Sequence, residues 1–361
     1  MDQKTALLWW QLNVLTKRRY DAILEVYGSL EEAGKHVGEE FLRGLGVRDE
    51  AVRAALLRLE AFDADRMANA LKAKGVTLLS IGDDAFPAIL RQMGDPPIFL
   101  SYRGDLSCLT QPLIAIVGTR GMTPYGRRVT GEFVPRFVQA GCVTVSGLAS
   151  GIDTVVAQET LRAGGRTVAV LGHGLANIFP TSNVKLAEEI VKNGGLLLSE
   201  FPIDQSPDFY TFPSRNRLIA GLSLGTLVIE APAKSGALIT AELALEYDRD
   251  VFAVPGPMFD PNAVGVNDLI ARGLARLTTS PDDVLREIGI IAPNAEASVS
   301  SYTPETDDEK KVWKALTTLP QPVDDLVAMS GLPAPSVAAT LTMMELSGAT
   351  KKVGAGKWVR A

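Results

Sequence analysis

Leu113-Ile114-Ala115-Ile116-Val117-Gly118-Thr119-Arg120-Gly121 begins with five apolar residues, three of them β-branched, and runs into a small-residue turn carrying one arginine. A run this short, apolar at every position, is the pattern of a strand covered on both faces. It recurs at Val143–Val145, Thr167–Leu171, Gly195–Leu198, Thr226–Ile229 and Val251–Val254. Helical patterns lie between, at Gly126–Ala140, Thr154–Ala163, Val184–Lys192 and Ala237–Tyr247. The alternation predicts an α/β fold with a doubly wound, Rossmann-like parallel sheet over residues 106–289. Such sheets bind ligands beyond the carboxyl ends of their strands, so the turns after the strands are the places to look for function.

The turns exclude two common chemistries. Gly118-Thr119-Arg120 is not Gly-x-Gly-x-x-Gly, and the second strand ends at Ser146-Gly147 where a ribose-binding acid would stand. No Gly-x-x-x-x-Gly-Lys-Ser/Thr occurs. Dinucleotide binding and P-loop hydrolysis are both disfavoured.

What remains looks anion-binding. Phe212-Pro213-Ser214-Arg215-Asn216-Arg217 precedes an apolar helical run. Ser214 reads as a helix cap, and Arg215 and Arg217 as charges offered with free backbone N–H groups to a phosphate. Lys234-Ser235-Gly236 opens another helix in the same style, and Glu230 reads as a brace for Arg215 or Arg217. In Ser146-Gly147-Leu148-Ala149-Ser150-Gly151-Ile152-Asp153 the acid reads as a cap of the next helix in preference to a catalytic group. Phe179 either stacks a base or packs in the core, and the residues leave both open. Several phosphate-friendly turns at one sheet edge suit a strand of nucleic acid better than one small ligand.

Composition sets the limits. The 361 residues carry a net charge of −6, with 46% hydrophobic and 22% charged residues, as in an ordinary globular protein of two or three domains. No apolar run is long enough for a bilayer, so a cytoplasmic protein with no membrane contact is expected. Two cysteines, Cys108 and Cys142, and two histidines, His36 and His173, leave little scope for metal or His-based catalysis. No metal, cofactor or catalytic residue is expected. Residues 106–288 hold fifteen basic against eighteen acidic side chains, so any nucleic-acid site there is a local pocket or stripe. Residues 309–361 hold seven against four.

Residues 1 to about 105 look helical, with Pro87, Pro96 and Pro97 marking an extended crossing into the next domain. Leu42-Arg43-Gly44-Leu45-Gly46-Val47 resembles a helix-hairpin-helix turn, though four nearby acids favour a plain helix connection. Residues 290–308 read as a linker, by composition. Residues 309–361 read as three helices and a basic hairpin turning at Gly354 and Gly356, a winged-helix pattern. Its candidate recognition helix starts Pro335-Ser336-Val337-Ala338-Ala339-Thr340 with no basic residue. That favours partner contact or weak phosphate contact over base reading.

Together the motifs Gly118-Thr119-Arg120, Ser146-Gly147-Leu148-Ala149, Gly151-Ile152-Asp153, Phe212-Pro213-Ser214-Arg215-Asn216-Arg217, Ser235-Gly236, Pro255-Gly256 and Gly265-Val266-Asn267-Asp268-Leu269-Ile270 resemble the bacterial DNA-processing protein A (DprA/Smf) family. The resemblance covers about residues 80–285, with weaker likeness to the family's sterile-alpha-motif-like N-terminal and winged-helix C-terminal domains. It implies a non-catalytic, dimeric protein with an extended Rossmann-like domain. Such a protein binds incoming single-stranded DNA, displaces single-stranded-DNA-binding protein and recruits the RecA recombinase in natural transformation. The DNA-binding candidates it implies are Gly118, Thr119, Arg120, Ser146, Gly147, Phe179, Lys185, Arg215, Asn216, Arg217, Lys234, Ser235 and Gly236. The chain departs from many relatives at Gln158, where they carry His, and at Phe179, where they carry Tyr. A rival resemblance is enzymatic: the segment from Glu230 to Thr240 is similar to the Pro-Gly-Gly-x-Gly-Thr-x-x-Glu turn of nucleotide phosphoribohydrolases. However, Ala233 and Lys234 stand where two glycines belong.

Overall fold

The computed structural model describes residues 1–208, 211–290, 302–317, 320–353 and 356–360. These divide into two compact units, Met1–Ala292 and Pro293–Ala361. Among the described residues no single helix is long and apolar enough to cross a membrane.

The first unit is built on one nine-stranded sheet: β1 (Thr77–Ser80), β2 (Phe99–Gly104), β3 (Leu113–Val117), β4 (Val143–Ser146), β5 (Thr167–Val170), β6 (Leu196–Ser199), β7 (Gly225–Val228), β8 (Asp250–Ala253) and β9 (Arg276–Leu277). Their order is β1-β2-β6-β5-β4-β3-β7-β8-β9. All pairings from β6 to β9 are parallel. The chain winds from β3 outward to β6, then returns to the other side of β3 to lay down β7. This return is the reversal at which a crevice opens beyond the strand ends. β3, β4, β5, β6 and β7 are buried at every position, as runs without alternation require.

The expectation of a helical region with only an extended crossing before residue 105 is corrected here. β1 and β2 extend the same sheet, β2 running antiparallel to β6 with Ser101 opposite Ser199. Val76-Thr77-Leu78-Leu79 and Ile98-Phe99-Leu100 supply the apolar residues, Gly75 and Pro96-Pro97 bound them, and their pairing covers what would be the open edge of the parallel sheet. Helices fill residues 3–74, one short helix, Ala88–Arg91, lies between β1 and β2, and the unit is continuous across the expected boundary at 105. Asp2, Thr16, Ser29 and Asp63 cap four of them by accepting backbone N–H bonds. Trp10 Nε1 donates to the Glu200 carbonyl at 3.1 Å, tying the first helix to the end of β6. The glycine turn at 44–46 is closed by Arg19, which donates to the carbonyls of Leu45 and Gly46.

In the second unit, helices Asp307–Ala315, Val323–Ser330 and Ala334–Leu346 pack on a three-stranded sheet of Gln321–Pro322, Lys357–Arg360 and Thr350–Val353 in that spatial order. Thr306 and Glu309 form a capping box at the first helix. This is a winged-helix arrangement. Most of the expected linker, 291–301, and the hairpin glycine Gly354 lie outside the described residues.

Candidate nucleic-acid interface

A crevice of about 850 Å³ lies at the reversal, lined by the turn after β3, the start of helix Thr211–Leu222 and the turn before helix Gly236–Glu246. Gly118, Thr119 and Arg120 form one wall. The buried Thr119 is fixed by its N–H, which donates to the Glu230 carbonyl at 2.8 Å, and by its Oγ1, which accepts from Gly121 N at 3.1 Å. Arg120 is exposed, with its guanidinium 4.8 Å from the centre of the Phe212 ring. Such stacking presents the cation flat and leaves its edge to meet an anion.

Arg215 lies on the crevice floor, only 4% exposed. It donates to the Val170 carbonyl at the end of β5, and its Nε has no partner among the described residues. Gly147 makes room for it: a Cβ there would sit 2.3 Å from both terminal guanidinium nitrogens. The buried Asp153 stands beside it and accepts from the N–H groups of Gly147 at 3.1 Å and Ala149 at 3.3 Å. Asp153 therefore ties down the turn before its helix, and does not cap the helix as expected; Gly151 holds that position. Burial lowers the Arg215 pKa to about 10, with the Asp153 carboxylate opposing the shift, so the guanidinium stays charged at neutral pH. Burial pushes the Asp153 pKa up while Arg215 holds it down. Each therefore favours the charged form of the other against the burial of both.

A smaller cavity of about 120 Å³ adjoins this floor, lined by Arg120, Gly147, His173, Phe179 and Phe212 among others. Phe179 is 45% exposed and so is not a core residue. Its ring lies 6.3 Å from that of Phe212 at 42°. Arg120, Phe212 and Phe179 thus form one tier of flat groups. Phe212 was missed as a site residue, although it opens the arginine-bearing motif. His173 holds the far end, with Nδ1 2.9 Å from the Gly174 carbonyl and Nε2 accepting from Phe179 N at 3.3 Å. That pattern needs a neutral ring, protonated at Nδ1.

Burial pushes the His173 pKa below its ordinary 6.5, helped by Arg215 and opposed by its two backbone partners. A depressed folded pKa means that the stability it contributes is present above 6.5 and lost as pH falls. Urea melts at pH 7.5 and 5.5 should show a larger acid loss in the wild type than in His173→Gln. Equal losses would remove His173 as the cause.

The other candidates divide. Asn216 donates to the Gly236 carbonyl at 3.2 Å and lines the crevice with Lys234, Ser235 and Gly236. Lys234 is exposed at the lip, and Ser235 caps the helix by accepting from Ala237 N at 3.2 Å. Ser214 sits inside the first turn of helix Thr211–Leu222 and does not cap it as expected. Ser146 is turned inward, its hydroxyl donating to the Ile116 carbonyl at 2.8 Å, so it contributes only its place in the turn. Lys185 is exposed in the first turn of helix Val184–Lys192 and lines neither cavity.

Arg217 leaves the site altogether. It pairs with Glu200 and donates to the Asp95 carbonyl at 2.7 Å, facing the N-terminal helices. The expected bracing by Glu230 is also corrected: its carboxylate accepts from Thr123 N at 3.0 Å and from the Thr123 hydroxyl. Among the described residues no cluster of three His, Cys, Asp or Glu is placed to hold a metal.

The family model for DNA recombination-mediator protein A matches residues 77–289, and that for the DprA winged helix domain matches 295–356. The chain is 40% identical over 245 residues to DNA processing protein DprA of Bacillus subtilis, covering 67% of this chain and 82% of that one. It is 38% identical over 278 residues to Protein Smf of Escherichia coli, covering 75% and 74%. The solved DNA processing protein A of Streptococcus pneumoniae superposes with a TM-score of 0.64 at 34% identity, covering 78% of this chain and 95% of that one. DNA processing protein A of Helicobacter pylori, solved to describe its single-stranded DNA binding mode, superposes with a TM-score of 0.53 at 32% identity, covering 59% and 95%. The match from β1 to the end of the sheet unit, with a second match over the winged helix, makes this chain a member of the DprA/Smf family.

Proposed function

We propose that this protein binds single-stranded DNA in the crevice beyond β3, β4, β5 and β7, and acts as a recombination mediator. The observation that carries the reading is the tier of Arg120, Phe212 and Phe179 set over the buried cation of Arg215. Flat groups receive bases of any sequence, and the cations receive the phosphates between them. The Helicobacter pylori relative, studied for its single-stranded DNA binding, supports this. Binding without cleavage is the favoured chemistry, because Glu230 is engaged by Thr123 and Asp153 by its own turn and Arg215. Among the described residues two carboxylates line the crevice, Asp153 and Glu242, and the first is committed to its own turn, so the nucleotide phosphoribohydrolase reading lacks a pair.

In the finer reading the protein is cytoplasmic and works as a homodimer. It displaces single-stranded-DNA-binding protein and loads RecA onto DNA taken up in natural transformation. Family membership supports this part.

The test is anisotropy of a labelled single-stranded oligonucleotide and its duplex across a salt series, with wild type and Arg120→Ala. The substitution should weaken single-strand binding by about one order of magnitude or more. It should also reduce the slope of log affinity against log salt by about 0.7, the value for one lost phosphate contact on a single strand. Unchanged affinity would move the DNA out of this crevice. Release of free base from a nucleotide would instead support cleavage.

A further inference from the structure

Among the described residues Phe259 is the most exposed large apolar side chain, at 90%, and its neighbour Met258 is 77% exposed. Both sit in the turn of residues 255–263, between β8 and helix Val264–Ala271. The turn is built to hold them still. Asn267 brackets Gly256, donating to its carbonyl at 3.1 Å and accepting from its N–H at 3.2 Å. Asp260 N donates to the Pro257 carbonyl at 3.0 Å. Pro255, Pro257 and Pro261 fix three more backbone angles. A ring held rigidly in water loses little freedom when something stacks on it.

This turn is continuous with the crevice. In the sheet β8 lies beside β7, and β7 beside β3. The chain leaves the crevice wall at Arg120, is held at Thr123 by Glu230 at the end of β7, and reaches Tyr125 in the first turn of helix Pro124–Gln139. There the Tyr125 hydroxyl donates to the Pro255 carbonyl at 2.7 Å. Gly265 N closes the span from the far side of the turn, donating to the Ala231 carbonyl at 2.8 Å. Residues 120–125 thus form a shelf across the end of β7, from the crevice to the end of β8. Neighbouring strands lie about 4.8 Å apart, so the shelf covers roughly 10 Å, about three nucleotides at the stacked spacing of 3.4 Å. We infer that single-stranded DNA leaving the crevice crosses this shelf and stacks a base on Phe259. The inference rests on the DNA-binding reading of the crevice and extends its path. Tyr125, itself 37% exposed, lies along the way. Arg128, exposed one turn further on the same helix face, adds a cation beside it for the phosphates. Asp260, the acid of the turn, has its carboxylate turned back onto Asn262 N at 2.9 Å. A flat ring and a nearby cation, joined to a groove of the same kind, suit a nucleic-acid strand of any sequence.

The test is anisotropy of the full-length chain with labelled oligothymidylates of about four and about twelve nucleotides, the longer one able to reach from the crevice to the end of β8. Phe259→Ser should weaken the longer strand by about tenfold and leave the shorter one unchanged, whereas Arg120→Ala should weaken both. Phe259→Trp should bind the longer strand at least as tightly as wild type. Its added fluorescence should fall when the longer strand binds and stay constant with the shorter one. A loss with Arg120→Ala and none with Phe259→Ser would overturn the shelf while leaving the crevice in place, and would give the exposed pair to a protein partner. Equal losses of both lengths in Phe259→Ser would overturn it too, because a path beyond the crevice must depend on strand length. Indifference of both lengths to Arg120→Ala would remove the crevice reading, and the shelf with it.

Discussion

Arg215→Met is expected to abolish single-stranded DNA binding and to destabilise the Met1–Ala292 unit by about 1–3 kcal/mol, the cost of leaving buried polar groups without the partner that favours them. The acid that loses the favouring charge is Asp153, 7% exposed and held in place by the N–H groups of Gly147 and Ala149. A second substitution separates the two losses. Asp153→Asn keeps an oxygen for those N–H groups and removes the uncompensated charge. The double variant Arg215→Met with Asp153→Asn should regain most of the stability in a denaturant titration. It should not regain DNA binding, because the floor of the crevice still lacks its cation. Recovery of both properties would make Arg215 a purely structural residue. A folded Arg215→Met protein binding like wild type would remove it from the site outright.

The contrast between Arg215 and Arg217 shows how far the sequence could be read. The motif itself pointed to anion chemistry beside a helix, and one arginine lies there. Residues two apart on a helix point about 200° apart around its axis, so both could not face one crevice. The helix spans Thr211–Leu222 and takes in the proline turn read from the sequence, and this places both arginines within regular helix. Which of the two faces inward depends on where the ends of the adjacent strands β5 and β6 arrive, a contact across 45 residues for Arg215 and 17 for Arg217. Local pattern carries no such information. Glu230 illustrates the same limit, since its partner Thr123 is 107 residues away. The parallel core strands were legible because burial on both faces leaves an unbroken apolar run. β1 and β2 were not, because each is short, half covered and embedded among helical patterns. Phe179 was open on sequence alone, and its exposure and distance to Phe212 set it on the crevice side.

Arg217 itself carries the second large effect. Its guanidinium joins Glu200 at the end of β6 to Asp95, and Asp95 Oδ1 accepts from the Tyr247 hydroxyl at 2.7 Å. Tyr247 ends helix Gly236–Glu246, whose start bears Ser235 and Gly236. The cluster therefore clamps both crevice helices from behind. Arg217→Ala should destabilise the unit by about 3 kcal/mol, the low end for a buried pair, because the two side chains remain 16% and 15% exposed. Burial already raises the Glu200 pKa, with Arg217 the main influence holding it down. Without Arg217 the carboxyl would be protonated more readily in the folded state than in the unfolded one. Folding would then take up a proton, so the deficit of the variant should shrink as pH falls and grow as it rises. Single-strand affinity should fall modestly as the helices loosen, with the salt slope unchanged from wild type. A slope lowered by about 0.7 would instead mean that Arg217 neutralises a phosphate, and the clamp would be the wrong account of it.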